Sequence, residues 1–319
     1  MIRLWFRFGV GFLCVAVLAE SISYGTPVTT NLVLQLKSDA GVVSIDHDAD
    51  SNTPDVVNSW TDQSTQTNDV AQGGADTLKP QLITGISNGF QTNPFSALRF
   101  DGTDDVLSRT AAVNNLATNT SGGTIFLVSR TPVLATNQVA FAYGTGDANR
   151  VSMGMATGTN WNVRTRIASA GASGSTATVS SVEAGGAGVP LVDTFYVQAA
   201  IWDGTTAGGL QSKLLLYDGT DDGVVITGAD TGTAAAGAFA PTALHVGRLV
   251  FAGGAGTSLQ GDITELLIYN DNLSAEDQAS VFTYLGQKYG VLPIPEPSAL
   301  SLLVIGIISL RVGKRLRHS

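Results

Sequence analysis

The feature that most limits the fold of this chain is a long series of short apolar runs separated by turn-forming residues. The runs are too short for helices, and Asp-Gly and Gly-Gly pairs between them supply the positive φ that tight turns need. Residues 161–167 alternate apolar and polar side chains, which is typical of a strand with one buried face. The pattern predicts strands at residues 32–36, 97–100, 124–128, 139–143, 151–155, 161–167, 195–202, 213–217, 224–227, 243–246 and 263–269.

One helix is predicted after the last of these runs. Ser274 and Asp277 have the spacing of a capping box, an apolar stripe extends from Val281 to Tyr289, and Gly290 supplies a stop. The Ser-, Gly- and Ala-rich segment 168–188 is predicted to be an exposed loop. Together these features predict an all-β fold, a two-sheet antiparallel jelly-roll sandwich with one C-terminal helix.

The N-terminal residues have the pattern of a secretory signal peptide. Arg3 and Arg7 precede an apolar run over residues 8–19, and small residues up to Gly25 suit cleavage after position 25. The alternative is a membrane anchor, but the run is shorter than the roughly 20 residues of a membrane span. We therefore expect export through the inner membrane and removal of residues 1–25.

The C-terminal residues form a three-part motif. Pro295, Glu296 and Pro297 precede an apolar run over residues 299–310, and a basic cluster follows at Arg311, Lys314, Arg315 and Arg317. The basic cluster would stay on the cytoplasmic side, so the segment predicts transient membrane insertion. The motif resembles the PEP-CTERM sorting signal. The resemblance implies recognition by an exosortase, a membrane protease or transpeptidase of Gram-negative bacteria, and delivery to the cell surface or an exopolysaccharide matrix.

The central segment resembles a second family. Motifs at residues 34–42, 60–64, 98–105 and 261–269 follow the order found in LamG-like jellyroll domains of the concanavalin A-like lectin/glucanase superfamily. The resemblance implies binding of carbohydrate or protein, in some members through calcium. The predicted organisation is a signal peptide at 1–25, a LamG-like domain at 26–290, a Pro-rich linker at 291–297, and a hydrophobic segment with a basic tail at 298–319.

Acidic residues offer two candidate calcium sites. Asp46, Asp48 and Asp50 alternate in one loop, as oxygen ligands do in calcium loops, although the match to an EF-hand is incomplete and a solvated acidic loop is the alternative. A second oxygen-rich site would combine Asp62, Asp69, Asp101, Asp104 and Asp105. We favour a turn-capping role for these five residues, because aspartate side chains commonly bond to nearby backbone amides.

Aromatic residues and overall composition narrow the classes of ligand. Trp161 is the candidate platform for a sugar ring, whereas Trp60 lies within a LamG-like motif and is expected to be structural. One Cys and three His exclude a disulfide scaffold and Cys-rich metal sites. A net charge of −9 argues against nucleic acid as a partner.

Catalytic motifs are absent from the sequence. A glycosidase needs two carboxyl groups across a cleft, and Asp262 and Glu265 are three residues apart, which places them on opposite faces of a regular strand. Glu265 is therefore predicted to be a structural partner, and no Gly-x-Ser-x-Gly motif is present. The sequence predicts a non-catalytic surface protein that binds carbohydrate or matrix. The alternatives are a purely structural or adhesive matrix component and a divergent glycoside hydrolase.

Overall fold

A computed structural model provides the structure of the protein. The structure describes residues 27–45, 55–90, 94–117, 122–133, 138–146, 149–156, 162–168, 175–180, 193–202, 211–216, 223–228, 241–250 and 257–293.

Antiparallel strands account for nearly all of the regular structure. A single 3-10 turn, Asp76–Leu78, and a single α-helix, α1 (Ala275–Lys288), accompany the strands in the described ranges. The strands are β1 (Leu32–Lys37), β2 (Val42–Ile45), β3 (Val56–Trp60), β4 (Val70–Ala71), β5 (Gln81–Ile86), β6 (Phe95–Asp101), β7 (Leu107–Arg109), β8 (Gly123–Arg130), β9 (Gln138–Gly146), β10 (Asn149–Ala156), β11 (Asn162–Ala168), β12 (Ser175–Ser180), β13 (Tyr196–Trp202), β14 (Gln211–Leu216), β15 (Val224–Gly228), β16 (Ala243–Val246) and β17 (Gln260–Tyr269).

The strand pairings build two layers. In the first, which we call the helix-side layer, β17 pairs with β8 on one edge and with β1 and β6 on the other, and β8 continues to β13, β14 and β15. The opposite layer runs from β2 through β3, β4, β7, β16, β9, β10 and β11 to β12. Strand β5 pairs with β6 and makes one bridge to β3, so the layers are connected.

One apolar core lies between the two layers. A second apolar core lies between the outer face of the helix-side layer and α1. Along β8, Ile125 and Leu127 lie between the layers, whereas Phe126 and Val128 lie on the outer face beneath α1. This alternation follows from the twofold period of a strand. It explains why β8 is apolar on both faces and buried along nearly its whole length.

The predicted helix is confirmed, together with its ends. The Ser274 hydroxyl accepts a hydrogen bond from the Asp277 amide at 3.1 Å, and Gly290 has a φ of +67° just after the last turn. Phe282 of the apolar stripe packs edge-to-face against Phe126 of β8, with ring centroids 5.1 Å apart. The helix therefore covers the outer face of the helix-side layer, as the apolar stripe requires.

The all-β prediction is confirmed as an antiparallel sandwich with one helix, and each of the predicted runs coincides with a strand. The short strands β2, β3, β4, β5 and β7 were missed, because runs of a few half-buried residues give little periodicity. The segment 168–188 was wrongly predicted to be entirely loop, since it contains β12, which pairs with β11. No helix in the described part of the chain combines the length and apolar character needed to cross a membrane.

Candidate binding pocket

A pocket of about 520 Å³ opens on the outer face of the helix-side layer, beyond the end of α1 that covers the same face. The ends of β6, β8 and β17 form its floor, and the 3-10 turn and the start of β5 form a wall. The lining is rich in charged and amide side chains. It consists of Val56, Asp76, Thr77, Lys79, Gln81, Arg99, Phe100, Asp101, Asp105, Arg130, Pro132, Asp193, Gln260, Gly261 and Asp262.

The floor of the pocket is a row of three charged residues on three neighbouring strands. Asp262 of β17 is in register with Arg99 of β6 on one side and with Arg130 of β8 on the other. Arg99 donates Nε to Asp262 Oδ1 at 2.8 Å and Nη2 to Oδ2 at 3.0 Å, and Arg130 donates Nε to Oδ2 at 2.6 Å. We call these residues the Arg-Asp-Arg row. Its net charge is positive, since one carboxylate faces two guanidinium groups.

Neighbouring groups hold both guanidinium groups in place. The hydrogen bonds and the charge of Asp262 raise the pKa of Arg99 above its usual value, and the charge of Asp193 adds to the effect. Arg130 lies over the Phe195 ring, with its guanidinium carbon 4.8 Å from the ring centroid. Asp262 is only 2% exposed, whereas the side chains of Arg99 and Arg130 are partly exposed to solvent.

A β-bulge in β17 corrects the sequence analysis of Asp262 and Glu265. The register of β17 against β8 shifts between Ile263 and Glu265. An extra residue at a bulge resets the alternation of side chains, so both carboxylates lie on the outer face. The prediction that they lie on opposite faces was therefore wrong.

Glu265 is sealed beneath the helix rather than exposed to the pocket. Its carboxylate accepts hydrogen bonds from Lys288 Nζ at 2.9 Å, Tyr289 OH at 2.7 Å, Tyr284 OH at 3.3 Å and Gln35 Nε2 at 2.9 Å. Burial alone would lower the pKa of Lys288, but the charge of Glu265 raises it above its usual value. These contacts confirm the prediction that Glu265 is a structural partner. We call this group the Glu265 cluster.

A turn of three aspartates borders the pocket after β6. Asp101 Oδ1 accepts the Thr103 amide at 2.7 Å, and Asp105 Oδ2 accepts the Asp101 amide at 2.9 Å. Carboxylate oxygens of Asp101, Asp104 and Asp105 lie within 4.8 Å of one another. The backbone bonds account for this arrangement, which supports the turn-capping interpretation, and we assign no metal to it.

Asp105 has the most perturbed carboxyl group of the pocket. Burial raises its pKa from 3.8 to about 7, and the charges of Asp101 and Asp104 act in the same direction, whereas the bond from the Asp101 amide opposes the rise. The side chain is 5% exposed. Near neutral pH it is therefore divided between a neutral acid and a carboxylate.

The opposite wall carries an ion pair. Lys79 follows the 3-10 turn, is largely buried, and contacts Asp76 Oδ1 at 2.7 Å. The Val106 amide donates a hydrogen bond to the Leu78 carbonyl at 3.1 Å, which connects the 3-10 turn to the turn of three aspartates. Most charged side chains of the pocket are thus positioned by bonds made within the protein.

The other aspartates of the proposed second oxygen-rich site lie elsewhere. Asp62 Oδ1 accepts the Gln35 and Ser64 amides, both at 2.8 Å, and its Oδ2 accepts the Asn68 amide at 2.8 Å. Asp69 Oδ1 accepts the Asp62 amide at 2.8 Å. Both residues cap turns as predicted, and they do not join Asp101, Asp104 and Asp105 in one site.

Several predicted site residues lie outside the described ranges. They are the calcium-loop residues Asp46, Asp48 and Asp50, the candidate sugar platform Trp161, and the sorting residues Pro295, Glu296, Pro297, Arg311, Lys314, Arg315 and Arg317. Calcium binding, sugar stacking and sorting at these positions stay predictions. Trp60 is fully buried and donates Nε1 to the Lys37 carbonyl at 2.8 Å, in agreement with a structural role.

Arg99 and Arg130, which form part of the floor of the pocket, were not predicted as site residues from the sequence. Arg99 lies within the predicted strand 97–100 and Arg130 lies two residues past the predicted strand 124–128, both on the face that continues beneath the helix. Two such residues near Asp262 were a signal that this part of the outer face is not covered. The signal becomes specific only with the register of β6, β17 and β8, which the sequence does not provide.

The sequence matches no protein-family model and no curated protein. Among solved structures, an arabinofuranosidase complexed with arabinofuranosyl-α-1,2-xylobiose is similar, with a TM-score of 0.51 and 14% identity over 84% of this chain and 61% of that one. The Trypanosoma rangeli sialidase has a TM-score of 0.43 and 13% identity, over 82% of this chain and 34% of that one. The ligand-binding domain of botulinum neurotoxin serotype D has a TM-score of 0.47 and 9% identity, over 82% of this chain and 54% of that one.

This chain therefore spans less than two thirds of the arabinofuranosidase, and at this identity the likeness shows the fold alone. The prediction that the chain is not an enzyme is contradicted to this extent, because an enzyme, the arabinofuranosidase, has a similar fold. The prediction considered carboxyl groups along one strand, whereas the pocket is lined by Asp101 and Asp105 of a turn together with Asp262 of β17.

Proposed function

We propose that this chain is an exported surface or matrix protein that binds carbohydrate in the pocket on the helix-side layer. The observation that carries the proposal is the fixed array of charged side chains that lines a pocket of about 520 Å³. This volume is in the range of small-ligand sites. Because internal hydrogen bonds already orient the side chains, a polyhydroxylated ligand would meet donors and acceptors that lose little freedom on binding.

We propose that the sandwich is a LamG-like jelly roll of the concanavalin A-like superfamily. Two antiparallel layers, the pairing of the first strand β1 with the last strand β17, and the C-terminal helix support it. The fold likeness to an arabinofuranosidase that holds an oligosaccharide adds support by analogy only.

A glycan array with the full chain tests carbohydrate binding. Thr77 is exposed on the 3-10 turn and lines the pocket, so Thr77→Trp should fill the pocket without changing its charge. Thr65→Trp is the matched control, because Thr65 is exposed in a turn that does not line the pocket. We expect Thr77→Trp to abolish binding and Thr65→Trp to retain it. Equal binding by both variants would contradict the proposed site.

Export and sorting are proposed from the termini. A signal peptide over residues 1–25 and recognition of Pro295, Glu296 and Pro297 by an exosortase would place the chain at the surface of a Gram-negative bacterium. In a host with an exosortase, replacement of the three motif residues by alanine should leave the chain in the inner membrane. Fractionation that finds the variant at the surface at the wild-type level would exclude this route.

Glycoside hydrolysis is a second candidate function, favoured by the carboxyl pair beside the pocket. Burial raises the pKa of Asp105 to about 7, in the range that suits a general acid, and oxygens of Asp105 and Asp101 lie within 4.8 Å of each other. In this reaction Asp105 would protonate the glycosidic oxygen as its bond to the anomeric carbon breaks, and the Asp101 carboxylate would bond to that carbon. Water would then displace Asp101 from the anomeric carbon and give a proton to Asp105, which restores both carboxyl groups.

Release of reducing sugar from arabinoxylan and from a panel of surface polysaccharides tests this candidate. Asp105→Asn should lower the rate by roughly 100-fold or more, the usual contribution of a general acid. Asp271→Asn is the control, because Asp271 is exposed and does not line the pocket. No release from any substrate, or equal rates in both variants, would exclude hydrolysis at this site and leave carbohydrate binding untouched.

A further inference from the structure

The Arg-Asp-Arg row uses only part of its hydrogen-bonding capacity within the protein. Arg99 commits Nε and Nη2 to Asp262, and Arg130 commits Nε. Arg99 Nη1 and both terminal nitrogens of Arg130 have no hydrogen-bond partner among the described residues. The side chains of Arg99 and Arg130 are 44% and 20% exposed and line the pocket, so these donors can reach a ligand there.

The remaining donors suit a planar anion. A guanidinium group presents N–H donors in a fixed fork that matches the two oxygens of a carboxylate. Asp262 demonstrates this match from the protein side, since Arg99 binds it through two parallel hydrogen bonds. The row has two guanidinium groups for one carboxylate, and the charge of Asp193 beside Arg99 offsets part of this excess. The unused donors of Arg99 and Arg130 can still bind a carboxylate of the ligand through charge-assisted hydrogen bonds.

The pocket is also polarised across its width. The Arg-Asp-Arg row supplies donors on the floor, whereas Asp101 and Asp105 supply acceptors on the rim. On the other wall, Asp76 is paired with Lys79 and presents little free charge. A sugar with both a carboxylate and hydroxyl groups could bind the Arg-Asp-Arg row through its carboxylate. Its hydroxyl groups could donate hydrogen bonds to Asp101 and Asp105.

We propose that the pocket recognises an acidic sugar, with the carboxylate of a uronic acid residue bound to the exposed donors of Arg99 and Arg130. This inference rests on the proposed carbohydrate-binding function and names its ligand class. A uronic acid-containing exopolysaccharide would fit it. The chain carries a net charge of −9, so nonspecific attraction does not account for binding of a polyanion, and binding that occurs reports on the local site.

Paired ligands that differ only in the carboxylate test the inference. Oligomers of galacturonate, glucuronate and mannuronate, each with its carboxyl-reduced counterpart, are titrated into the full chain by calorimetry. We expect at least one acidic oligomer to bind, and its reduced counterpart to bind about tenfold more weakly or not at all, as loss of charge-assisted hydrogen bonds predicts.

Variants locate the contact. Arg99→Gln and Arg130→Gln should each weaken binding of the acidic oligomer on the order of tenfold. Arg99→Lys, which keeps the charge but loses the fork, should fall between the wild type and Arg99→Gln. Arg109→Gln is the matched control, because Arg109 bonds to the Ala112 and Thr67 carbonyls away from the pocket. Circular dichroism spectra and melting temperatures confirm that each variant is folded.

The outcomes separate this inference from the function on which it rests. Equal binding of acidic and reduced oligomers, with loss of both in Thr77→Trp, overturns acidic recognition and leaves carbohydrate binding in the pocket intact. The same holds if only neutral saccharides of the array bind. If no saccharide binds, or if Thr77→Trp changes nothing, the proposed function fails and this inference fails with it.

Discussion

Two buried carboxylates on one strand, Asp262 and Glu265, face the same side of the helix-side layer in different surroundings. Asp262 is bound by two arginines at the floor of a pocket, and Glu265 is enclosed by Tyr284, Lys288 and Tyr289 of the helical segment. The chemistry of the two residues is nearly the same. The difference lies in what covers them, because α1 reaches Glu265 and leaves Asp262 beside open space.

This comparison indicates how the fold separates stability from binding. The partners of Glu265 all bond to its carboxylate, and that carboxylate is fully buried. The partners of Asp262 keep donors that no described residue uses. A buried charge whose partners have used all their hydrogen-bond donors affects stability alone. A buried charge whose partners still have unused donors can also orient those donors toward a ligand. The following substitutions should therefore affect the two carboxylates in different ways.

The largest effect is expected for Glu265→Gln. It removes the charge opposite Lys288 and presents an amide donor to hydroxyl and ammonium groups that already donate. Breaking a buried pair in this way costs about 3–5 kcal/mol of unfolding free energy. Urea denaturation measures the loss, and the folded fraction should bind carbohydrate as the wild type does.

Glu276→Gln is the control, because Glu276 is an exposed residue in the first turn of the same helix. Its loss should cost about 0.3–1 kcal/mol through the helix dipole. Similar small losses for both variants would mean that the Glu265 cluster contributes no more than a surface charge.

Asp262→Asn should follow, with about 2–3 kcal/mol of destabilisation. The expected loss is smaller than for Glu265, because water partly screens the two arginines once their partner is gone. Unlike Glu265→Gln, this variant should also lose carbohydrate binding, since the row is no longer oriented. Asp271→Asn, at an exposed residue away from the pocket, should change stability by less than about 1 kcal/mol. Wild-type binding by Asp262→Asn would show that the row takes no part in recognition.

The sequence predicted eleven of the 17 strands of the described residues, the helix and its caps, because each of these depends on residues close together in the chain. The stripe that ends at Tyr289 and the stop at Gly290 are local signals, and both are present in the structure. The same holds for the turn caps at Asp62 and Asp69.

The pocket depends instead on register and on a bulge. Arg99, Arg130 and Asp262 are far apart in sequence and meet because three strands align, which no local pattern determines. The bulge after Ile263 reverses the face expected for Glu265 relative to Asp262, and bulges have no strong sequence signature. For this reason the sequence could name both carboxylates but could not say what either one faces.

A pH effect of intermediate size is expected from Asp105. Its pKa is raised to about 7 in the folded chain from an ordinary 3.8, so the folded state holds a proton that the unfolded state releases. This contribution is fully present below the unfolded value and is lost as the pH rises from about 4 to 7.

Asp105→Asn should remove that slope, because the amide does not ionise and its oxygen can still accept the Asp101 amide. Urea denaturation at several pH values between 4 and 8 measures it. Asp271→Asn, at an exposed residue bonded to Asn31, serves as the control and should keep the wild-type slope. A slope unchanged in Asp105→Asn would assign the pH dependence to other carboxyl groups.

The smallest effect is expected for Ser274→Ala, which acts on the cover of Glu265 and not on the pocket. The Ser274 hydroxyl caps α1 by accepting the Asp277 amide, and loss of such a cap costs about 1 kcal/mol. Amide exchange should then become faster along α1, while the ends of β6 and β17 keep their protection and carbohydrate binding is unchanged. Ser274→Thr retains a hydroxyl and should restore most of the loss. If Ser274→Ala weakened binding as much as Asp262→Asn, the helix and the pocket would be one cooperative unit, and the separation between the two carboxylates would be incorrect.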